Sequence, residues 1–381
     1  MAGYSSNSTE IMCPPDAIAN LTYKNDVAES LGYSRSELIY TAVFLPVLSF
    51  IGIVSNSAFL FVVHRVPTMK TITNVYLVNV SIADILFLAT IVTYKVIKLA
   101  TSVVVNDVSG LGAALSIILF TTANVMRFSS LGFISAVTWE RFCAVCRPHS
   151  RRSTSTYAII ISITIWTIAS VLSATIIPAY GKYITICMVW PKGEQFADWP
   201  SEIIVVGQVA PWAGMYSNVV QTFPFFITFV VNIYFYVRII RGLDATLMSR
   251  TWDGRRSESD AALRGQTVRM LVVNGVAYFL CLALFQFISL YKTLLILTKI
   301  QPVLTPRQGK ILLDVARTLE YMNSVINPVI YTVMSRRYKE AFKTAFSKKK
   351  HPTKASRSRT LSSSTPVTTT HFLSRNRDTS L

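Results

Sequence analysis

Five oxygen-bearing side chains stand out in a strongly apolar chain: Asp84, Ser130, Asn323, Ser324 and Asn327. One carboxylate with hydroxyl and amide oxygens is a donor set suited to a small hard cation such as sodium. The same residues can instead act as hydrogen-bonded glue between helices with no ion bound, and the sequence leaves both readings open. Two charged pairs offer other chemistry. Glu140 and Arg141 are adjacent, and a local ion pair can work as a switch when breaking it is costly in one state and compensated in another. An arginine snorkelling from a helix end is the plainer alternative. Arg127 and Glu320 are distant in sequence, but a cation and an acid inside a helix bundle each require a counter-charge.

Only helices that cross a membrane could gather these residues. Of 381 residues, 51% are hydrophobic and 15% charged, against about 25% charged in soluble proteins. Apolar helical blocks lie at about 39–64, 74–99, 112–146, 157–180, 214–241, 267–298 and 310–334, each near the length that spans a bilayer. The expected fold is an all-α membrane protein, a seven-transmembrane helix bundle. Residues 1–38 form an extracellular N-terminal tail and 39–334 the bundle. Residues 335–347 form a short amphipathic membrane-surface helix, and 348–381 a disordered cytoplasmic tail. Five cysteines are too few for a disulfide scaffold, and the composition excludes an ordinary cytosolic enzyme.

The net charge of +18 is unevenly placed. The linkers after the first, third and fifth blocks carry Arg65, Lys70, Arg147, Arg151, Arg152, Arg250, Arg255 and Arg256, and the C-terminal tail is strongly basic. This asymmetry places the C-terminus in the cytosol and the N-terminus outside, with the first span as anchor and no cleaved signal evident. A nucleic-acid binder would carry its basic surface on a folded polar domain, and none is visible. Two sequons in the outer tail, at Asn7 and Asn20, are expected to be glycosylated. A third, at Asn79, falls inside the second span and is a chance match.

Helical rise converts spacing into depth. Asn56, Asp84, Ser130 and Asn327 fall about 14–16 Å above the cytosolic boundary, near the midplane. Asn124, Arg127, Gln286, Arg317, Glu320 and Tyr321 fall roughly 21–29 Å above it, on three different spans. They are the candidate floor of an outer pocket. Arg127 and Glu320 are expected to pair there, either as a structural bridge or in contact with a ligand.

In order and spacing, Asn56, Asn79-Val80-Ser81-Ile82-Ala83-Asp84, Glu140-Arg141-Phe142, Trp166, Pro224 and Asn327-Pro328-Val329-Ile330-Tyr331 resemble the rhodopsin-like G-protein-coupled receptors. The resemblance covers about residues 40–346. The stretch Arg317 to Tyr331 is most similar to thyrotropin-releasing-hormone receptors, and Met334 to Tyr338 also to ghrelin and neuromedin receptors. It implies a plasma-membrane receptor for an extracellular neuropeptide or peptide hormone, with a heterotrimeric G protein as inner partner and no enzymatic activity. Glu140, Arg141, Phe142, Asn327, Pro328 and Tyr331 would be the coupling switch. Asn124, Arg127, Gln286, Arg317, Glu320 and Tyr321 would be the ligand pocket, with Arg317 at the position that meets the peptide. Ala123 replaces the aspartate of amine receptors, and Tyr321 the retinal lysine of opsins.

The chain also departs from that pattern. Leu282 and Leu284 replace the tryptophan and proline of the sixth span, so that helix should be straighter, and a divergent receptor with altered or constitutive coupling is the alternative. Asn232 stands where the fifth helix usually has tyrosine, with Tyr234 and Tyr236 nearby. Arg264 stands where some relatives place an acid. Ser116 replaces the usual cysteine of the third span, so Cys187 either pairs with Cys13, the other extracellular cysteine, or both remain unpaired thiols. Beyond the seventh span, Tyr338 to Phe346 reads as an interfacial helix on anionic membrane lipids. Ser/Thr-rich residues Thr360 to Thr370, once phosphorylated, would bind an arrestin-like protein, and Thr379-Ser380-Leu381 would suit a PDZ groove. A transporter is the more distant reading; an odd number of spans and no repeat argue against it. No cofactor beyond the sodium ion is expected.

Overall fold

The computed structural model describes residues 17–147, 154–249 and 255–347, the side chains of 244–264 and of Pro306 excepted. Seven long helices run through it: α1 Leu45–Arg65, α2 Ile72–Thr101, α3 Gly112–Cys146, α4 Ser155–Thr175, α5 Ala213–Ser249, α6 Arg255–Thr298 and α7 Pro306–Met334. A short helix, α8 Arg336–Phe346, follows. Local chemistry fixes several starts. Thr71 and Thr154 accept hydrogen bonds from the backbone amides of Asn74 and Tyr157. Thr305 and Gln308 cap α7 reciprocally, with proline at its first position, where its missing N–H costs nothing.

Six of these helices are long and apolar enough to cross a membrane. The seventh, α7, spans 29 residues but spends part of its sequence on Arg317, Glu320, Asn323, Ser324 and Asn327. The last four of these are buried. Its polarity faces the bundle interior, where a membrane protein keeps its polar groups. The outer surface is the reverse, with Phe50, Ile163, Val230 and Leu280 exposed. Central α3 packs against α2, α4, α5 and α6, and α1 closes the ring against α2 and α7. Asn79, the discounted sequon, is half-buried on α2 and accepts a hydrogen bond from Trp166 Nε1 of α4 at 2.9 Å.

At one end lies structure that the apolar periodicity did not announce. Strands β1 Ile18–Asn20, β2 Lys182–Val189 and β3 Glu202–Gly207 form one sheet. The pair β2–β3 is a hairpin in the α4–α5 connection, and β1 lies parallel to β2 with Ile18 opposite Cys187. Residues 25–31 form a helix whose buried Ala28 joins Leu21, Val104, Met188, Phe196 and Ile203 in a small separate core. The segment read as a tail is therefore, from Ile18 onward, folded onto the loops. Cys187 is disulfide-bonded, and Cys13 lies outside the described residues. Cys143, Cys146 and Cys281 are free. Asn20 is exposed, its side-chain oxygen accepting from the backbone N–H of Thr22 at 3.0 Å. Asn7 lies outside the described residues, as do Thr360 to Thr370 and the terminal Thr379-Ser380-Leu381.

At the opposite end, α8 folds back on the bundle. Tyr338, Ala341 and Ala345 are buried, and the Tyr338 hydroxyl donates to Asn74 Oδ1 at 2.5 Å. Part of the apolar face expected to lie on lipid is thus spent on protein.

Candidate functional site

The end bearing α8 holds the Glu140–Arg141 pair. Arg141 Nε and Nη2 reach the two carboxylate oxygens of Glu140 at 2.5 and 2.7 Å. Arg141 Nη2 also donates to the hydroxyl of Thr73 on α2, and that hydroxyl donates to Glu140 Oε2 at 3.0 Å. The arginine is held by its neighbour and by a second helix. Thr73 was not singled out in the sequence; a threonine in the first turn of a helix carries no distinctive signal. Phe142, buried beside them, meets the Phe235 ring of α5 in a tilted contact with centroids 4.8 Å apart and packs with Ile239 and Val268, so the tripeptide links α3 to α5 and α6. Arg264 falls where α6 side chains are outside the described residues.

Midway, Asp84 is buried and accepts from Asn327 Nδ2 at 2.7 Å. Asn56 Nδ2 donates to the Ser324 carbonyl oxygen at 2.8 Å and to that of Gly52 at 2.9 Å, tying α1 to α7. Ser130 and Asn323 are buried on α3 and α7. The side-chain oxygens of Asn323 and Asn327 have no hydrogen-bond partner, and neither do those of Asn274, Tyr278 and Tyr331. The buried acceptors beside one carboxylate suit a hard monovalent cation. Asn274 and Tyr278 of α6 extend this polar column beyond the residues the sequence named. Below it, Tyr331 packs between Phe59 at 5.2 Å and Tyr338 at 5.8 Å, so Tyr331 connects α7 to α8, one turn after Pro328.

The sixth helix meets the fifth through an unusual close fit. Gly275 of α6 lies directly against the Tyr236 hydroxyl of α5, with space only for a hydrogen where a Cβ would stand. That hydroxyl also accepts from Thr138 of α3 at 3.2 Å. Of the two tyrosines near Asn232, Tyr236 is buried and Tyr234 exposed. Asn232 is itself buried and donates to Ser135 Oγ at 3.1 Å. Leu282 is buried in the main core and Leu284 half-buried. No proline occurs in α6, whereas α5 contains Pro224 and α7 Pro328.

Toward the sheet end, Arg127 and Glu320 form a two-point ion pair, one of whose hydrogen bonds, Nη2 to Oε2, is 3.2 Å. Arg127 Nη1 further donates to Asn124 Oδ1 at 2.8 Å and to Gln221 Oε1 of α5 at 3.2 Å. Its guanidinium lies over the rings of Phe285 and Phe87, 5.5 and 5.9 Å from their centroids. Three helices and two aromatic faces thus converge on one cation. Gln286 is buried with its side-chain oxygen unpartnered. Tyr321 is buried against Phe87, its hydroxyl beside Arg317. Five of the six expected pocket residues thus fall into two adjoining groups, Asn124–Arg127–Glu320 and Arg317–Tyr321. Gln221 joins the first, and its helix had contributed no candidate.

A profile of the "7 transmembrane receptor (rhodopsin family)" matches residues 55–331. The chain is 25% identical to somatostatin receptor type 5 of Rattus norvegicus, over 82% of this chain and 80% of that protein. It is 29% identical to the tachykinin-like peptides receptor 86C of Drosophila melanogaster, over 43% of this chain and 34% of that protein. Medium-wave-sensitive opsin 1 of Cavia porcellus is 23% identical over 81% of this chain and 78% of that protein.

Proposed function

The chain belongs to the rhodopsin family of seven-transmembrane receptors, and we propose that it binds an extracellular peptide and passes that event to a heterotrimeric G protein. The N-terminus and the β-sheet end face outward, and α8 and the C-terminal tail face the cytosol at the plasma membrane. The basic linkers support this orientation. A peptide is favoured by relatives whose printed names are those of peptide receptors and by an outer pocket that is charged. Tyr321 stands where a retinal lysine would be needed, which argues against light reception despite the likeness to an opsin.

The observation that carries the proposal is the closed Glu140–Arg141–Thr73 triad at the α8 end of a bundle that also buries the Asp84–Asn327 hydrogen bond and the Arg127–Glu320 ion pair. In this state Arg141 is occupied. Freeing it exposes a cation on the cytosolic face for a G protein, and Phe142 transmits that change to α5 and α6. Asp84, with Ser130, Asn323, Ser324 and Asn327 around it, would hold a sodium ion. The ion would neutralise the buried carboxylate and stabilise the arrangement in which these helices are closest. Asp84→Asn should abolish any sodium dependence of ligand affinity. The cytoplasmic tail is assigned to an arrestin-like partner after phosphorylation, and its last three residues to a PDZ domain.

The test is G-protein activation in cells against a neuropeptide library, with Arg141→Ala as control. A response lost in the control supports the proposal; no response and no basal signal would sink it. The absent proline and tryptophan of α6 favour a second reading, a receptor with altered coupling, which constitutive signal without any peptide would support.

A further inference from the structure

Among the described residues the ion pairs are Arg127–Glu320, Arg141–Glu140 and Lys310–Glu37. None includes Lys95, Lys98 or Arg317, which lie toward the sheet end of the bundle. Lys95 and Lys98 are one helical turn apart on α2, so they share a face. Lys98 is only 8% exposed and Lys95 half-buried, so neither side chain extends freely into solvent. Arg317 is half-buried on α7, a helix that packs against α2. Each of the three cations lies within electrostatic range of the other two.

Three of the nearby acids are otherwise engaged. Glu37 is held by Lys310 at 2.6 Å and Glu320 by Arg127. Asp107 accepts from the backbone amides of Ser109 and Ile204 at 2.9 and 3.1 Å and from the Ser109 hydroxyl at 2.9 Å. Asp314, exposed and without an ion pair, lies within electrostatic range of Lys95 and compensates it in part. Lys98 is compensated only in part, by the face of Tyr94 with its centroid 5.3 Å away. Gathering like charges between two helices costs stability in the free protein, and such a cost is characteristic of functional sites.

We infer that Lys95, Lys98 and Arg317 form an anion subsite, which takes a peptide bearing at least two carboxylates at the end that enters between α2 and α7. This rests on the reading of the chain as a peptide receptor and narrows the ligand to an acidic one. The guanidinium can hold one carboxylate at two points, while the ammonium groups serve as point charges for another. Arg127 is excluded from that role by its bond to Glu320.

Purified full-length receptor in detergent tests the inference by its melting temperature in the presence of the tripeptide Glu-Glu-Glu, with Lys-Lys-Lys and sulfate as controls at equal ionic strength. Glu-Glu-Glu should raise the melting temperature and the controls should not. The double variant Lys95→Gln, Lys98→Gln should melt higher than wild type without ligand, because repulsion is relieved, and should bind Glu-Glu-Glu at least tenfold more weakly. Lys98→Arg should keep the response. An unchanged response in the double variant, an equal shift with sulfate, or a double variant that is less stable without ligand would overturn the subsite. Binding of Glu-Glu-Glu through these lysines in a protein that activates no G protein would leave the subsite standing and remove the receptor reading. A peptide that signals equally through the double variant would do the opposite.

Discussion

Arg127 on α3 and Glu320 on α7, 193 residues apart in sequence, clasp each other across the bundle at two points. Because Glu320 is 5% and Arg127 16% exposed, removing either partner leaves a charge in a poorly solvated place, a defect worth about 3–5 kcal/mol. Arg127→Ala and Glu320→Ala should each lower surface expression and melting temperature sharply. The exchanged pair Arg127→Glu, Glu320→Arg should recover part of the loss. Recovery is expected to be incomplete, because Asn124 and Gln221 are placed to accept from a guanidinium on α3. An exchange no better than the worse single variant argues against the pair as the source of stability.

Thr73 bridges Arg141 and Glu140 from a neighbouring helix, so it should restrain the arginine in the resting state. A hydrogen bond to a charged group contributes about 1.5–3 kcal/mol, enough to shift a two-state equilibrium roughly tenfold or more. Glu140→Gln and Thr73→Ala are both expected to raise basal nucleotide exchange on the coupled G protein, the first more than the second. Basal exchange unchanged in both would separate this triad from activation.

The fit of Tyr236 against Gly275 makes a further expectation. In Gly275→Ala the new methyl must displace the tyrosine ring and with it the bond from Thr138. The variant should melt lower and change its basal activity, and Tyr236→Leu in the same chain should restore stability by removing the collision. Gly275→Ala with wild-type melting and signalling would show that the ring moves aside freely.

In the loop between α2 and α3, Asp107 gives a pH dependence of known sign. Burial alone would push its carboxyl up, but the hydrogen bonds from Ser109, Ser102 and the Ile204 amide reverse this and hold it below the usual carboxylate value. A depressed value in the folded state contributes stability that is present above about pH 4, the unfolded value, and is lost as pH falls through the folded one. The protection of the Ser109 and Ile204 amides, as exchange relative to the intrinsic rate at each pH, should therefore fall on acidification below about pH 4. In Asp107→Asn the protection should be lower already at neutral pH and nearly flat with pH. Parallel profiles for the two proteins would contradict the assignment.

Counting depth along helices located Arg127 with Glu320, and Asp84 with Asn327, because charged and amide groups are rare in apolar spans and their level follows from a fixed rise. Thr73, Gln221 and Asn274 were not found by that count. Rotation about the helix axis decides whether a threonine, glutamine or asparagine faces in, and depth alone does not give rotation. Lys95 and Lys98 sit near a helix end, where a lysine ordinarily snorkels to water; only their burial and lack of ion-pair partners distinguish them. Strand β1 is three residues long, too short for alternation to register, and its pairing with β2 depends on chain that is distant in sequence. The seventh span was legible as a span in spite of its polarity because the polar residues recur on one face.

The unbroken course of α6 has a mechanical meaning. Over 44 residues it contains no proline, so it lacks the joint at which a helix usually bends. A stiff rod tilts as a whole, and a push at its outer end must appear as an opposite excursion at its inner end, scaled by the distances to a fulcrum. The notch at Gly275, where the Tyr236 ring bears on the helix backbone, is positioned to be that fulcrum.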